Sequence, residues 1–508
     1  MLQGRTLWEL LEQRVAATPD ALMAVDEDMR TMTFAEYRTE AERAAAGLAN
    51  QGVQAGDVVS WQLPTWLESL VLVGALSRLG AVQNPMLPIY REREVGFCTA
   101  QAAATLLVVP SVWKNFDFQA MATDISRANG GSMAVLVADK ALPQGDPSTL
   151  PPLPDPAEDP VRWLFYTSGT TADPKGAQHT DGTIAAVSYG MAERLALVES
   201  DRNALIFPFT HIGGITWLFS SLQSGCSNIL MESFLPDETP AVLSREHVTL
   251  AGSGTIFHQT YLAAQKKSAA PLFPDVRGFP GGGAPKPPAL VAEMREVFDA
   301  PILSGYGLTE APILTMASVA DTDEELARSE GKPMPGVEIR LVKLDGSLAG
   351  EGEDGEIRAK APQLMKGYLD AALDAEAFDA DGYFCTGDIG RFDETGNIVI
   401  TGRVKDIIIR KGENVSAKEV EDMLYTHPQV GDVAVIGLPD PASGERVCAV
   451  VQTAEGAEDL TFEEMVRHLK EAGLMTQKLP EQLELVDVVP RNPAGKVLKH
   501  VLRDQYSD

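Results

Sequence analysis

The chain has 508 residues, too many for one simple domain and enough for several core-forming units. Its 42 Lys and Arg stand against 72 Asp and Glu, a formal net charge of −30, which argues against nucleic acid or an anionic membrane as main partner. The four cysteines (Cys98, Cys226, Cys385, Cys448) lie far apart with no C-x-x-C pair, so neither a disulfide framework nor a zinc site is expected and a reduced, cytoplasmic compartment fits.

The first turns, Thr6 to Ala17, carry apolar residues at helical spacing (Leu7, Leu10, Leu11, Val15), and Glu9 and Glu12 break any signal-peptide profile. A second helix is expected from Thr33 to Asn50, with Thr33 and Glu36 spaced as a capping box. Val58 to Trp61 reads as a strand and Trp66 to Leu79 as a helix. The apolar run Leu70 to Val82 is too short, and too interrupted by Ser77 and Arg78, to span a bilayer. Strand-like segments recur at Thr105–Val109, Met133–Val137, Val161–Tyr166, Ala204–Phe207 and Asn228–Met231, with helical stretches between them. That alternation predicts an α/β fold, parallel-type sheets flanked by helices. Near Gly402 the segments shorten: strands at Asp406–Arg410, Asp432–Ile436 and Val447–Gln452, helices at Ser416–Tyr425 and Phe462–Ala472. A small α+β C-terminal unit follows from this, giving domains 1–403 and 404–508.

Seven stretches carry chemistry. After the strand Val161–Tyr166 comes Thr167-Ser168-Gly169-Thr170-Thr171-Ala172-Asp173-Pro174-Lys175-Gly176. Hydroxyls and unhindered amides can wrap a phosphate chain, and a lysine adds a point charge, although the spacing is not that of a Walker loop. Phe207 to Gly214 contains His211 and no acid. Gly281-Gly282-Gly283-Ala284-Pro285-Lys286 follows a predicted strand, Val276–Phe279, and reads by itself as a turn. Ser304-Gly305-Tyr306-Gly307-Leu308-Thr309-Glu310 follows Pro301-Ile302-Leu303, and Thr386-Gly387-Asp388 places a carboxylate on a predicted tight turn. Thr401-Gly402-Arg403-Val404-Lys405-Asp406 leads into Arg410-Lys411-Gly412, and Asn492-Pro493-Ala494-Gly495-Lys496 lies near the C-terminus.

In this order and at these separations, the motifs resemble those of the adenylate-forming superfamily, and within it the acyl-CoA synthetases. The match covers residues from about 160 to 500. One departure is Ala172, which stands where the family pattern usually has glycine. The resemblance implies an AMP-binding and acyl-binding N-terminal domain and a mobile C-terminal cap, hinged near Lys405. Thr167, Ser168, Gly169, Thr170, Thr171 and Lys175 would hold the β- and γ-phosphates of ATP. Gly282, Gly283, Ala284 and Pro285 would lie along adenine and the acyl pocket, with Gly305, Tyr306 and Gly307 beside them and Tyr306 stacking on the base. Thr309 would contact the α-phosphate, Glu310 with Thr170 would hold Mg2+, and His211 would line the carboxylate pocket. Asp388 would take the ribose hydroxyls and Arg403 the phosphates or ribose. Arg410, Lys411 and Gly412 would border the coenzyme A channel, and Lys496 would be the catalytic lysine of adenylation.

The implied reaction is ATP-dependent ligation of a carboxylic acid to CoA through an acyl-adenylate. The missing acid near His211 disfavours an amino-acid substrate. Phe209, Ile212, Trp217, Phe257, Tyr261 and Ile313 as pocket walls imply an apolar acid: medium-chain, alicyclic or aromatic. Rival readings are an acyl-AMP ligase loading a carrier protein, a luciferase-like oxygenase, and a non-catalytic nucleotide-binding protein of the same fold. The direct run from Arg403 to Gly412, without the insertion usual in acyl-AMP ligases, favours CoA, and intact Lys175, Glu310, Asp388 and Lys496 favour catalysis. The family includes monomers and homodimers alike.

Overall fold

A computed structural model describes residues 1–153, 155, 159–167, 173–283, 286–410, 413–441, 443–491 and 497–507. The expected α/β alternation is present. Helix Phe34–Asn50 begins with the reciprocal cap its sequence specifies: the Thr33 hydroxyl accepts from the Glu36 amide at 3.2 Å, and the Glu36 carboxylate accepts from the Thr33 amide at 2.8 Å. Two amides that helix geometry leaves unpaired are thereby satisfied, worth about 1 kcal/mol. Its partner is helix Leu67–Leu79, where a Cβ on Gly74 would lie 2.9 Å from both Ala41 and the Tyr37 hydroxyl, so that only glycine allows the crossing.

One sheet runs, from edge to edge, through Lys175–Thr180, Val161–Thr167, Val82–Pro85, Val58–Trp61, Leu106–Val109 and Ala134–Val137. All neighbours are parallel except the first pair, which is antiparallel from Lys175↔Thr167 onward. A second sheet joins Arg202–Leu205, Ser227–Leu230 and Leu22–Asp26 in parallel, with Thr31–Thr33 antiparallel at its edge. Val59 and Trp163 of the first sheet and Val25 and Ile229 of the second share one core with Ile184 and Phe219, from helices Asp181–Arg194 and Ile212–Ser224. Burying both faces in this way explains why the strands read as apolar runs rather than as alternating patterns.

Two segments depart from the sequence reading. The strand expected at Val276–Phe279 is instead Phe279–Gly282, paired in parallel with Ile302–Tyr306 through Gly282↔Gly305. The first two glycines of the Gly-rich segment are therefore strand residues and not a turn. They are there because the backbones approach closely: a Cβ on Gly282 would sit 2.5 Å from the Gly305 carbonyl oxygen. Asp388 likewise belongs to a nine-residue strand, Phe384–Phe392, and not to a tight turn. The neighbouring Gly387 has φ +70° and the register with Gly355–Lys360 shifts there, so the glycine marks a kink within the strand.

That strand is part of an antiparallel sheet, Glu338–Val342, Gly355–Lys360, Phe384–Phe392 and Ile398–Arg403, which periodicity had not brought out among the parallel units. Beyond it, Ile407–Arg410, Glu413–Ser416, Val430–Asp440, Gly444–Thr453 and Gln482–Leu485 form a five-stranded sheet with apolar clusters on both faces, one around Val420 and Leu469, the other around Ile436 and Leu502. The Ser416 hydroxyl donates to the Thr401 carbonyl at 2.6 Å across the junction. All four cysteines are unpaired thiols, and among the described residues no helix is long and apolar enough to cross a membrane.

Candidate functional site

The central strand ends at Thr167, and the chain is described again from Asp173. Ser168, Gly169, Thr170, Thr171, Ala172, Ala284, Pro285, Lys411, Gly412 and Lys496 fall outside the described residues. Thr167 and Lys175 stand opposite each other, as the first antiparallel pair below the loop. The Lys175 ammonium lies 5.4 Å from the centroid of the Tyr368 ring and, among the described residues, has no carboxylate within ion-pair distance. A cation so placed is available to phosphate oxygens.

From Lys175 the strand runs along a segment that the sequence reading had not singled out. The amides of Lys366 and Leu369 donate to the carbonyls of Gln178 and Gly176, both at 2.8 Å, and the Gln178 amide donates to Gly367 at 3.0 Å. The same segment holds Glu310. The Met365 amide donates to the Glu310 carbonyl at 2.9 Å, and the Tyr368 hydroxyl donates to Glu310 Oε1 at 2.8 Å. From the opposite side, buried His179 bonds the Thr309 carbonyl through Nε2 at 2.9 Å and the Thr183 hydroxyl through Nδ1 at 3.0 Å. Since a carbonyl only accepts, Nε2 carries the proton. Burial lowers the His179 pKa to about 4, so the ring is neutral at physiological pH.

Glu310 is 8% exposed, and among the described residues no Lys, Arg or His lies within ion-pair distance of it. A buried carboxylate with a single neutral donor is costly, and a hard cation would complete it. No group of three or more His, Cys, Asp or Glu able to hold a metal occurs among the described residues. One carboxylate sharing a cation with substrate phosphates is the arrangement Mg2+ favours.

Four residues before Glu310, Tyr306 leads into a second cluster. Its hydroxyl donates to Asp388 Oδ2 at 2.9 Å, and Arg403 Nε lies 2.7 Å from Asp388 Oδ1. Asp388 is 4% exposed. Burial first, then the Asp388 charge, pushes the Tyr306 phenol well above its ordinary range, which keeps it a donor. Gly305 and Gly307 make room here: a Cβ on Gly307 would sit 2.2 Å from the Ile313 amide nitrogen. Gly283, at φ +77°, faces open space. Lys405 follows in a short turn, Val404–Asp406, with its ammonium pKa lowered by partial burial and then by Arg403, though the residue has solvent on its outer side.

His211 caps helix Ile212–Ser224, its Nδ1 accepting from the Gly213 amide at 3.1 Å. Together with Thr309, Ile212 and Tyr166 it lines a cavity of about 20 Å³, so the structure does bring His211 and Thr309 to one place. The expected pocket walls divide. Phe209, Trp217 and Tyr261 are buried in the core, Phe209 against Trp61 and Tyr261 bonded to the Gly252 carbonyl at 2.8 Å, whereas Phe257 and Ile313 lie at its margin. The reading also passed over His258, buried beside Phe279, whose Nε2 has no hydrogen-bond partner among the described residues. Arg410 is already engaged: Glu481 grips it at 2.5 and 2.8 Å and the Gln477 carbonyl takes a third donor.

Tyr368 and His179 escaped notice because neither lies in a stretch whose composition suggests chemistry. Their only trace in the sequence is proximity to Gly367 and to the end of the hydroxyl- and glycine-rich loop after Thr167.

Comparison with known proteins agrees with this geometry. Residues 11–369 match the AMP-binding enzyme family and residues 419–496 the AMP-binding enzyme C-terminal domain. The chain is 34% identical to triostin synthetase I of Streptomyces triostinicus, over 98% of this chain and 94% of that one. It is 30% identical to the medium-chain fatty-acid–CoA ligase of Escherichia coli K12, over 98% and 90%, and 31% identical to the salicyl-AMP ligase/salicyl-S-ArCP synthetase of Mycobacterium tuberculosis, over 98% and 90%. Among solved structures, ATP-bound MatB from Rhodopseudomonas palustris superposes with a TM-score of 0.89 at 27% identity, covering 100% of this chain and 99% of that one. The chain thus belongs to the AMP-binding enzyme family, and within the adenylate-forming superfamily to the acyl-CoA synthetase branch.

Proposed function

We propose that this chain is an ATP-dependent carboxylic acid:CoA ligase acting on an apolar acid. The observation that carries the reading is a convergence. The strand from Lys175 and the Thr309–Glu310 turn, far apart in sequence, meet at Tyr368, which touches both Lys175 and Glu310, and the Asp388 kink joins them through Tyr306. In the first half-reaction a carboxylate oxygen of the acid attacks the α-phosphorus of ATP and pyrophosphate leaves. Lys175 and the loop from Thr167 hold the β- and γ-phosphates, Asp388 accepts from the ribose hydroxyls, and Tyr306 and Arg403 keep its carboxylate in place. His179 fixes the Thr309 backbone beside the α-phosphate. Lys496 neutralises charge that builds on the phosphorus oxygens. When bound at Glu310, Mg2+ would supply further neutralisation of the phosphates. Catalysis is then mostly positioning and charge stabilisation. In the second half-reaction residues 404–508 rotate about Lys405, a thiol sulfur attacks the acyl carbonyl, the mixed anhydride breaks and AMP departs.

A second reading, loading of a carrier-protein thiol, draws support from Arg410. The resemblance puts that side chain beside the coenzyme A channel, where it could serve CoA phosphates, yet it is committed to Glu481, and a carrier-bound pantetheine needs no such cation. The relative from M. tuberculosis is itself named as such a synthetase.

The test is AMP and pyrophosphate release with MgATP across aliphatic, alicyclic and aromatic acids, with CoA, with a phosphopantetheinylated carrier, and with neither. Acyl-CoA formation supports the ligase. Acyl transfer to the carrier alone replaces it with the second reading, and absence of pyrophosphate release across the panel refutes both.

A further inference from the structure

Tyr368 is 5% exposed and makes two contacts that core packing does not require. Its hydroxyl donates to Glu310 Oε1, and its ring face receives the Lys175 ammonium. The residue itself is firmly placed. Its amide donates to Asp374 Oδ1 at 2.8 Å, the Gln178 side-chain amide donates to its carbonyl at 3.0 Å, and it forms a bridge with Ala177. Gly367, at φ +122°, lets the chain turn so that Asp374 can reach this amide: a Cβ there would lie 2.6 Å from Asp374 Oδ2. A phenylalanine would fill the same space and leave the Glu310 carboxylate without its donor.

We propose that Tyr368 is a positioning residue that links the two charges of the nucleotide site. By holding one oxygen of Glu310 it fixes the rotation of the carboxylate and leaves the other oxygen for a divalent cation. By its ring it keeps the Lys175 ammonium over the same side chain, so that the lysine and the metal-binding acid address one phosphate chain in fixed relation. The proposal rests on the nucleotide-site reading given above.

The probes are Mn2+, followed by its electron paramagnetic resonance signal, and α,β-methylene-ATP, whose α–β bridge is not cleaved. Loss of a partner that orients a metal ligand typically weakens metal binding about 10- to 100-fold. Tyr368→Phe should therefore weaken Mn2+ binding to the enzyme–analogue complex by that factor, while analogue binding without metal stays within about twofold of the parent. Tyr368→Leu should show the same metal defect and, having lost the ring under Lys175, should also weaken metal-free analogue binding about two- to fivefold. In a Glu310→Gln background Tyr368→Phe should have no further effect on Mn2+, because the two changes remove one interaction. Thermal unfolding of each variant separates misfolding from mispositioning. Parental Mn2+ affinity in a folded Tyr368→Phe variant overturns the proposal, as does an undiminished effect in the Glu310→Gln background. If the parent enzyme does not bind the analogue at all, the nucleotide-site reading falls first and the proposal falls with it.

Discussion

Replacing Asp388 by alanine tests the nucleotide site most directly. The carboxylate is buried, accepts from the Tyr306 hydroxyl at 2.9 Å and pairs with Arg403 Nε at 2.7 Å. A hydrogen bond to a charged group is worth about 1.5–3 kcal/mol, so the Tyr306 contact alone loses that much. The Arg403 side chain is 40% exposed and can rehydrate, so its pair adds only about 0–1 kcal/mol. Those two contacts exist in the free enzyme and bear on stability; on the proposed role, the loss in ATP binding comes from the ribose hydroxyls, whose bonds to a charged acceptor water replaces in part. About 3 kcal/mol, or roughly 100-fold in ATP affinity, is the expected net. Asp388→Asn keeps the shape and an acceptor for Tyr306 and should fall between parent and alanine. The assay is equilibrium binding of an ATP analogue together with KM for ATP in pyrophosphate release, on protein whose circular dichroism matches the parent. A folded Asp388→Ala enzyme with ATP binding within twofold of the parent would show that the carboxylate does not hold the ribose.

Three further outcomes are expected. Gly282→Ala pushes a methyl group to 2.5 Å from the Gly305 carbonyl oxygen and should cost about 1–3 kcal/mol, read as a lowered unfolding midpoint; an unchanged midpoint would mean the strands separate freely. Lys496→Ala should cut adenylation about 10²–10³-fold and largely spare thiolation of a supplied acyl-adenylate, measured as separate half-reactions. The third concerns pH. Buried His179 and His258 have pKa values lowered from 6.5 to about 4 and about 3. The unfolded chain therefore binds protons first, so their stabilising effect is complete above pH 6.5 and is lost as pH falls. At pH 5 each forfeits about 2 kcal/mol. Denaturant unfolding at pH 7.5 and 5.0 should show the decline, and His258→Phe should remove its share; an equal decline in that variant would refute the assignment.

Much of the fold was legible because its determinants are local. Thr33 and Glu36 announce a helix start by their spacing alone, and strands such as Leu106–Val109, buried throughout, can only be apolar. The family was legible for a different reason, since the motif from Gly305 to Glu310 is specific in its order, and the proposed nucleotide site builds on that order. The errors came where backbone approach, not side-chain preference, decides. Glycines at 281 and 282 read as a turn yet pair as a strand, because what matters there is the carbonyl of Gly305. Tyr368 and His179 were invisible because their roles depend on partners 58 and 130 residues away. Arg410 shows the reverse case: its charge was plain in the sequence, but its capture by Glu481 was not.

The bonds between Gly176–Gln178 and Lys366–Leu369 also set a schedule for synthesis. The loop that follows Thr167 leaves the ribosome long before the segment that secures the strand Lys175–Thr180 and the Glu310 carboxylate. At about 5–20 residues per second the interval between residues 176 and 369 is about 10–40 s. During that time the central sheet has an unprotected edge at Lys175–Thr180, open to pairing with another nascent chain. A transcript truncated before Tyr368 would yield a chain whose loop is complete in sequence but unsupported. Such a fragment would be a substrate for chaperones before it could be a receptor for nucleotide.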